Sequence, residues 1–171
     1  SAPDAFLTID SAISIEHQTQ MNKPTSQKGE VKVADLIAEL CTQIGKSLEN
    51  NGVTASVEDQ YLGQSPLEQI KMLCRITNTD LAIENNTIAI MPAGKSRSIK
   101  IAVISPDSGL IGYPIPTVRG INFQCLYDPL IKFGGEVEIK DSLIDIANGT
   151  WRVFGVTTSL ESMVPGGKWL M

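Results

Sequence analysis

Residues 80–98 read DLAIENNTIAIMPAGKSRS, and the chain changes character within this stretch. Residues 81–84 and 87–90 follow a period of two, which predicts two short strands. The two asparagines between them tolerate the left-handed backbone that a tight hairpin demands. The Pro, Gly and Ser content of residues 92–98 predicts a linker. The stretch therefore separates a part of the chain that contains helices from a part that contains only strands.

Two amphipathic helices are predicted before this boundary. In residues 31–52, VKVADLIAELCTQIGKSLENNG, apolar side chains recur every three or four residues as far as Leu48, and Gly52 stands where a C-terminal cap would lie. In residues 65–78, SPLEQIKMLCRITN, Ser65 as N-cap followed by Pro66 and Glu68 predicts a capping box.

The predicted fold class is α+β, in three segments. Residues 1–29 are interpreted as an N-terminal strand, FLTIDSAISI, and a loop-like arm that could pair with the β-domain. Residues 30–93 are interpreted as a small two-helix α+β module. Residues 98–171 have no helical periodicity and predict an antiparallel, barrel-like β-domain, because short apolar runs alternate there with Gly, Pro, Asn and Asp.

One predicted strand of the β-domain has apolar side chains on both faces. In residues 151–156, WRVFGV, Trp151 and Val153 alternate with Phe154 and Val156 on the opposite face. A strand of this kind is covered on both sides. We expect another domain or another copy of the chain to supply the second cover.

Composition excludes several classes of function. The chain has 171 residues and a net charge of −5, with scattered basic residues, so charge gives no reason to expect a nucleic acid or an anionic membrane as partner. The longest apolar runs are far shorter than the roughly 20 residues of a membrane helix. The chain has no initiator Met, and we expect it to be a piece of a longer polypeptide.

The residues that most often bind metals or cofactors are sparse. Cys41, Cys74 and Cys125 have neither zinc-knuckle nor redox spacing and are interpreted as buried packing residues. His17 is the single histidine, which disfavours both a His-based zinc site and a catalytic triad. The sequence therefore predicts no metal, no cofactor and no catalytic residue.

Two glycine-rich stretches predict turns. Residues 104–114, ISPDSGLIGYP, lack the Lys and Ser or Thr of a phosphate loop, and Pro114 and Pro116 prevent a helix from following. Residues 105–109 are interpreted as a turn that ends on Gly109. Residues 132–137, KFGGEV, predict a bulge or a close backbone approach at the start of a strand.

Paired acids leave one enzymatic alternative open. Glu136 and Glu138 share one face of a predicted strand, and Asp141 precedes Asp145 by one helical spacing. Paired carboxylates can hydrolyse glycosidic bonds. Alternating Glu on a strand more often keeps an exposed face soluble or protects an edge.

Three motifs, taken in order, resemble a known family. VISPDSGLIGYP, GINFQCLYDPLIKFGGEVEI and GTWRVFGVTTSLESMVPGGKW resemble the C-terminal half of baseplate hub proteins from contractile-tailed bacteriophages and related prophages. The resemblance covers residues 98–171, and VADLIAELCTQIGKSLENNGV through IAIMPAG is similar, less specifically, to the module that precedes them. Such hubs are similar in forming trimers whose barrel-like domains make a pseudo-sixfold ring.

The resemblance implies turn-forming and packing positions, none of them catalytic. Relatives often have His where Thr158 stands, which puts in doubt a shared polar contact at that position. The matching residues are Ser105, Pro106, Gly109, Gly112, Pro114, Asp128, Pro129, Phe133, Gly134, Gly135, Trp151, Pro165, Gly166, Gly167 and Trp169.

The resemblance predicts a non-enzymatic structural subunit of a tail baseplate hub that links the tail tube to the central spike. It implies a homotrimer in the intact protein, tube and spike proteins as partners, assembly in the bacterial cytoplasm, and a place in the virion tail. The alternatives are a tail-associated peptidoglycan hydrolase and the hub module of a contractile secretion system.

Overall fold

A computed structural model describes residues 24–84, 86–161 and 167–171. Within these residues the chain has two α-helices and many short strands, which confirms the α+β class. The chain divides into two compact units after Ala93. The predicted strand at residues 6–15 and His17 lie outside the described residues, and the three-segment division of the sequence stays a prediction.

The first unit is built from seven strands and two helices among its described residues. In chain order they are β1 (Thr25–Ser26), β2 (Glu30–Lys32), α1 (Val33–Gln43), β3 (Ser47–Asn50), β4 (Ser56–Glu58), β5 (Tyr61–Leu62), α2 (Pro66–Ile76), β6 (Thr79–Glu84) and β7 (Thr87–Pro92).

The central sheet of the first unit has the order β3-β7-β6. β6 and β7 form the predicted antiparallel hairpin, with Glu84 opposite Thr87, and β3 runs parallel to β7. Strand β7 is buried on both faces, as a central strand should be. Two smaller antiparallel pairs, β1 with β5 and β2 with β4, complete the unit.

Both helices bury their apolar faces in one core. Helix α1 contributes Leu36, Ile37 and Leu40, and helix α2 contributes Ile70 and Leu73. Ile88 and Ile90 of β7 lie in the same cluster, so the helices and the sheet share one hydrophobic core. The spacing of three and four residues that predicted these helices is therefore the spacing of their buried positions.

Helix α1 ends earlier than the sequence predicted. Gly45, with a φ of 67°, takes the left-handed conformation that closes a helix. Lys46 N donates to Cys41 O over 2.9 Å, and Gly45 N donates to Thr42 O over 3.2 Å, which is the Schellman pattern of bonds. Gly52 was therefore the wrong cap, because Leu48 lies in β3 rather than in the helix.

Helix α2 begins where predicted but has no capping box. Ser65 is the N-cap and Pro66 follows, yet the Ser65 side chain makes no capping hydrogen bond and its buried hydroxyl has no partner among the described residues. Glu68 instead pairs with Lys71 over 2.7 Å. Gln69, almost fully buried, donates from Nε2 to Gln64 O over 2.6 Å and ties the helix to the preceding loop.

The second unit consists of strands and two short 3-10 turns among its described residues. The strands are β8 (Ala102–Ile104), β9 (Leu110–Thr117), β10 (Gly120–Cys125), β11 (Glu136–Ile139), β12 (Gly149–Arg152), β13 (Ser159–Leu160) and β14 (Trp169–Leu170), and the 3-10 turns are Pro106–Ser108 and Asp145–Ala147.

The predicted antiparallel, barrel-like domain is not a closed barrel in the described strands. They make three small open sheets, β12-β11-β8, β10-β9 and β13-β14. Strand β8 runs parallel to β11. Parallel neighbours need a crossover connection, and the β9–β10 hairpin, which lies between β8 and β11 in the chain, forms part of that connection. Among the described residues, β10 and β12 do not pair with each other.

Strand β9 was missed by the sequence reasoning. It contains Pro114 and Pro116, which argue against a central strand but are tolerated at an edge. Its register with β10 slips, so that three residues between Ile111 and Ile115 stand opposite Phe123 alone. Gly112, with a φ of 67°, lies in this bulge.

No helix of the described residues is both long enough and apolar enough to cross a bilayer.

Gly135 is a close-approach position, as the sequence predicted. A Cβ placed there would stand 2.6 Å from Ile99 Cδ1 and 3.2 Å from the carbonyl oxygen of Lys132. We expect Gly135→Ala to lower the free energy of unfolding by about 1–3 kcal/mol through overpacking, measured by urea titration. Gly155→Ala is the matched control, because nothing lies within 4 Å of its Cβ position, and it should stay within about 0.5 kcal/mol of wild type. An equal loss of unfolding free energy in both variants would contradict the assignment of Gly135 as a close-approach position.

Burial disfavours the thiolate form of all three cysteines. Loss of solvent raises the pKa of Cys41, Cys74 and Cys125 from 9.0 to about 11. The pKa of each thiol is higher in the folded chain than in the unfolded chain. The contribution of the buried, protonated thiols to stability is therefore complete below pH 9 and is lost as the pH rises towards 11. We expect a thiol reagent to modify the native chain slowly at pH 8 and three thiols per chain in urea. Rapid reaction of the native chain would contradict this burial.

Candidate interaction surfaces

The first turn of the family motif is fixed by its own side chains. Ser108 Oγ accepts from Ser105 N over 2.8 Å, and both serines complete a capping box around Pro106–Ser108. Gly109 follows with a φ of 109°, and its Cβ position would stand 3.3 Å from Leu126 Cβ. The predicted turn is confirmed, and it brings Gly109 O within 2.8 Å of Leu126 N.

The second turn follows β10. Asp128 Oδ1 accepts from Leu130 N over 2.9 Å, while Asp128 O accepts from Ile131 N over 3.1 Å. Pro129 lies between these bonds, where its fixed φ suits a turn. The turn places Ile131 in the core of the second unit.

An arginine that the sequence reasoning assigned to a linker holds the Phe133–Gly134 loop. Arg97 is only 4% exposed. Its backbone N donates to Gly134 O over 2.7 Å, and its Nη1 donates to Phe133 O over 3.3 Å. The sequence gives no sign that Arg97 is buried, because an arginine among Gly, Ser and Pro residues is expected to be exposed to solvent.

The two tryptophans lie at different places in the second unit. Trp151 is half-buried and donates from Nε1 to Ala147 O over 2.8 Å. Trp169 donates from Nε1 to Glu161 O over 3.0 Å and meets the Tyr127 ring edge-to-face, with centroids 6.1 Å apart. Gly167 precedes strand β14, which contains Trp169. Pro165 and Gly166 lie outside the described residues. The shared role of all these motif positions stays a prediction.

The paired acids do not converge on a cleft. Glu136 and Glu138 alternate along β11 with Val137 and Ile139, whose side chains fill the core, so the two carboxylates lie on the opposite face. Glu138 pairs with Lys140 over 3.2 Å. In the described part of the chain, no three His, Cys, Asp or Glu side chains lie close enough to hold a metal ion.

A groove of about 690 Å³ opens in the second unit. Its lining consists of residues 119–123 of the β9–β10 hairpin, residues 151–157, and Cys125, Ile131, Val137 and Met171. Phe154 is 60% exposed. Val153 is buried while Phe154 and Val156 are exposed, so the expected second cover of residues 151–156 by another domain or another copy stays a prediction.

A second apolar surface lies on the hairpin, which we call the hairpin face: Ile111, Tyr113, Ile115 and Val118. Tyr113 and Ile115 are 65% and 64% exposed, and Val118 at the tip is fully exposed. The 3-10 turn Asp145–Ala147 lies beside β9, and the side chain of its Ile146 is also exposed. Exposed apolar side chains grouped on one hairpin are typical of interaction sites.

Comparison with known proteins gives one family. The family described as Baseplate hub gp41 matches residues 1–163 of the chain. No curated protein matches the chain. The match spans nearly the whole sequence, including the helical module, the β9–β10 hairpin and the groove. The resemblance drawn from the three motifs is thereby confirmed, and the chain belongs to the baseplate hub gp41 family.

Proposed function

We propose that this protein is a structural subunit of the phage tail baseplate hub, linking the tail tube to the central spike. Family membership supports the baseplate role. In this proposal the chain acts as a homotrimer, without catalytic activity, in the virion tail after assembly in the bacterial cytoplasm. The observation that carries it is the hairpin face, because a protein that works by subunit contact must offer an apolar surface to a neighbour.

The hairpin face has the composition of a contact surface. Tyr113 is a large amphipathic side chain of the type enriched at interfaces, and it stands between two exposed isoleucines. Ile146, in the 3-10 turn that lies beside β9, is also exposed. The charged residue nearest the tip of the hairpin is Arg119, another residue type enriched at interfaces.

The hairpin is suited to contact through its side chains rather than through its outer edge. Thr117 and Gly120 stand opposite each other around a two-residue loop, so they form a hydrogen-bonded pair. The next pair, Pro116 with Ile121, then points its backbone groups away from the partner strand. Pro116 has no N–H to offer on the outer edge of β9, and this hinders addition of another strand there.

Catalysis finds no support in this geometry. The apolar groove is lined by two arginines and no acid among its described residues, while Glu136 and Glu138 lie on another face. A glycosidase needs two carboxylates on opposite sides of a bound sugar. This geometry favours subunit contact over glycoside hydrolysis.

Charge placed on the hairpin face should block incorporation into the tail. We expect Tyr113→Glu with Ile115→Glu to reduce the amount of this protein in purified tails by about tenfold or more, since an interface would bury two unpaired carboxylates. The measurement is quantitative mass spectrometry of tails from a phage that carries the variant. Circular dichroism checks that the variant folds.

Tyr113→Phe is the matched control, because it keeps the ring and should incorporate as wild type does. Wild-type incorporation of the folded double variant would overturn the assignment of the hairpin face.

A further inference from the structure

The groove of the second unit lies along the side of strand β10 that faces away from β9. Residues 120–123 and Cys125 line it together with Met171, which bonds to this side of the strand. Backbone groups alternate in direction along a strand, so every second residue of β10 directs its N–H and C=O towards this side. The pairing with Met171 shows which residues these are.

Strand β14 pairs antiparallel with the chain at the end of β10. Cys125 N donates to Met171 O over 2.9 Å, and Met171 N donates to Cys125 O over 3.0 Å. Cys125 thus directs both backbone groups away from β9, and by alternation Phe123 and Ile121 do the same. Within the described residues, these groups of Phe123 and Ile121 form no hydrogen bond on this side. The edge is therefore open there, in a register that Met171 sets.

This edge lacks the features that usually keep a strand edge unpaired. Proline and charged side chains protect open edges in natural sheets. Strand β9 carries Pro114 and Pro116, whereas β10, GINFQC, contains neither a proline nor a charged residue. The edge of β10 is therefore suited to the addition of a further strand.

The side chains along the groove determine what kind of strand fits. Phe123 is half-buried, and Phe154 and Val156, which also line the groove, are exposed. Arg119 lies exposed in the lining at the tip of the hairpin, and the described lining residues include no Asp or Glu. The groove therefore favours an extended segment with apolar side chains on one face and a carboxylate near the hairpin tip.

We propose that the open edge of β10 binds an extended segment of a partner protein, which adds to the sheet as an antiparallel strand. Two apolar side chains of the segment lie opposite Phe123 and Ile121, and a carboxylate two residues further on reaches Arg119. The site accommodates about five residues, since each residue of a strand advances about 3.3 Å. The proposal uses the geometry of the second unit alone and does not depend on the hub role.

The partner to which the site is assigned is another protein. In this chain, residues 137–141, VEIKD, have the required pattern of apolar and acidic residues. Val137 and Ile139 are already buried in the unit, and their strand is paired on both sides, with β8 and β12. A second copy could offer this segment only by unfolding its own sheet.

A synthetic peptide of the required pattern, acetyl-Val-Thr-Val-Thr-Glu-amide, tests the site on the full chain. Its first and third residues would pair with Phe123 and Ile121, and its Glu would meet Arg119. We expect saturable shifts of the Phe123 and Ile121 amide signals in nuclear magnetic resonance spectra. No shift of these signals at peptide concentrations up to about 5 mM, where even millimolar affinity would be visible, would overturn the proposal.

Methylation of the peptide backbone separates strand addition from non-directional apolar binding. N-methyl groups on the first and third peptide residues remove the N–H groups that would donate to β10, and we expect affinity to fall about tenfold or more. N-methyl groups on the second and fourth residues, whose N–H groups point away from β10, are the matched control and should change affinity less than about threefold. Equal weakening by both pairs of methyl groups would contradict an added strand.

Charge reversal tests the role of Arg119. We expect Arg119→Glu to weaken binding of the Glu peptide by about three- to fivefold and to strengthen binding of acetyl-Val-Thr-Val-Thr-Lys-amide by a similar factor. Lys100→Glu makes the same change of charge at an exposed residue outside the groove lining, and it should leave both affinities near wild type. Equal effects of the two substitutions would remove Arg119 from the site.

Hydrogen exchange without peptide tests whether the edge is open in solution. We expect the amides of Ile121 and Phe123 to exchange about tenfold or more faster than those of Val137 and Ile139, whose strand is paired on both sides. Addition of the peptide should slow their exchange. Slow exchange before peptide is added would mean that the chain itself or a second copy already covers the edge, and this result would overturn the proposal.

Discussion

The second unit depends on how its strand edges are satisfied. Its sheets are short and open, and each contains two or three strands. Small sheets of this kind gain little from their own ladders and need a shared core or further strands to be stable. The turns meet part of this need. The capped turn at Ser105 directs Gly109 onto Leu126, and buried Arg97 holds the Phe133–Gly134 loop by its backbone carbonyls.

The first unit rests on a different balance. Its helices and its sheet close one core around Ile88 and Ile90, and its central strand has partners on both sides. Burial of this apolar surface stabilises the unit. The second unit differs in carrying the hairpin face, whose Tyr113 and Ile115 are exposed to the surroundings.

Much of the fold could be predicted from periodicity, and the errors have physical causes. The spacing of Leu36, Ile37 and Leu40 predicted the buried face of a helix. Leu48 continues the same spacing although it lies in β3. The sequence therefore predicted a helix that ends at Gly52 instead of at Gly45. Strand β9 was not predicted because it contains Pro114 and Pro116. Local sequence patterns with proline do not distinguish an edge strand from a loop. The burial of Arg97 could not be predicted from the sequence. It depends on hydrogen bonds to the carbonyls of Phe133 and Gly134, which are distant in the chain. Barrel closure could not be judged from the sequence either, because it depends on which strands pair with one another, and short alternating runs do not specify their partners.

The geometry fits a protein that acts by contact. The acids that suggested a hydrolase lie on a strand face outside the groove, and the groove itself is apolar with two arginines. The hairpin face presents Tyr113 and Ile115 to a neighbour, while Pro116 hinders strand addition at the outer edge. Family membership places such contacts in a phage baseplate. The ring and its link from tube to spike remain our proposal.

Electron cryomicroscopy of the intact tail is the most direct measurement of the central claim, which is that this protein works by fitting its second unit against neighbouring subunits. We predict density for three copies around the tail axis, with Tyr113 and Ile115 covered by an adjoining subunit. A baseplate in which these two side chains face solvent, or in which other proteins alone form the ring between tube and spike, would contradict the account.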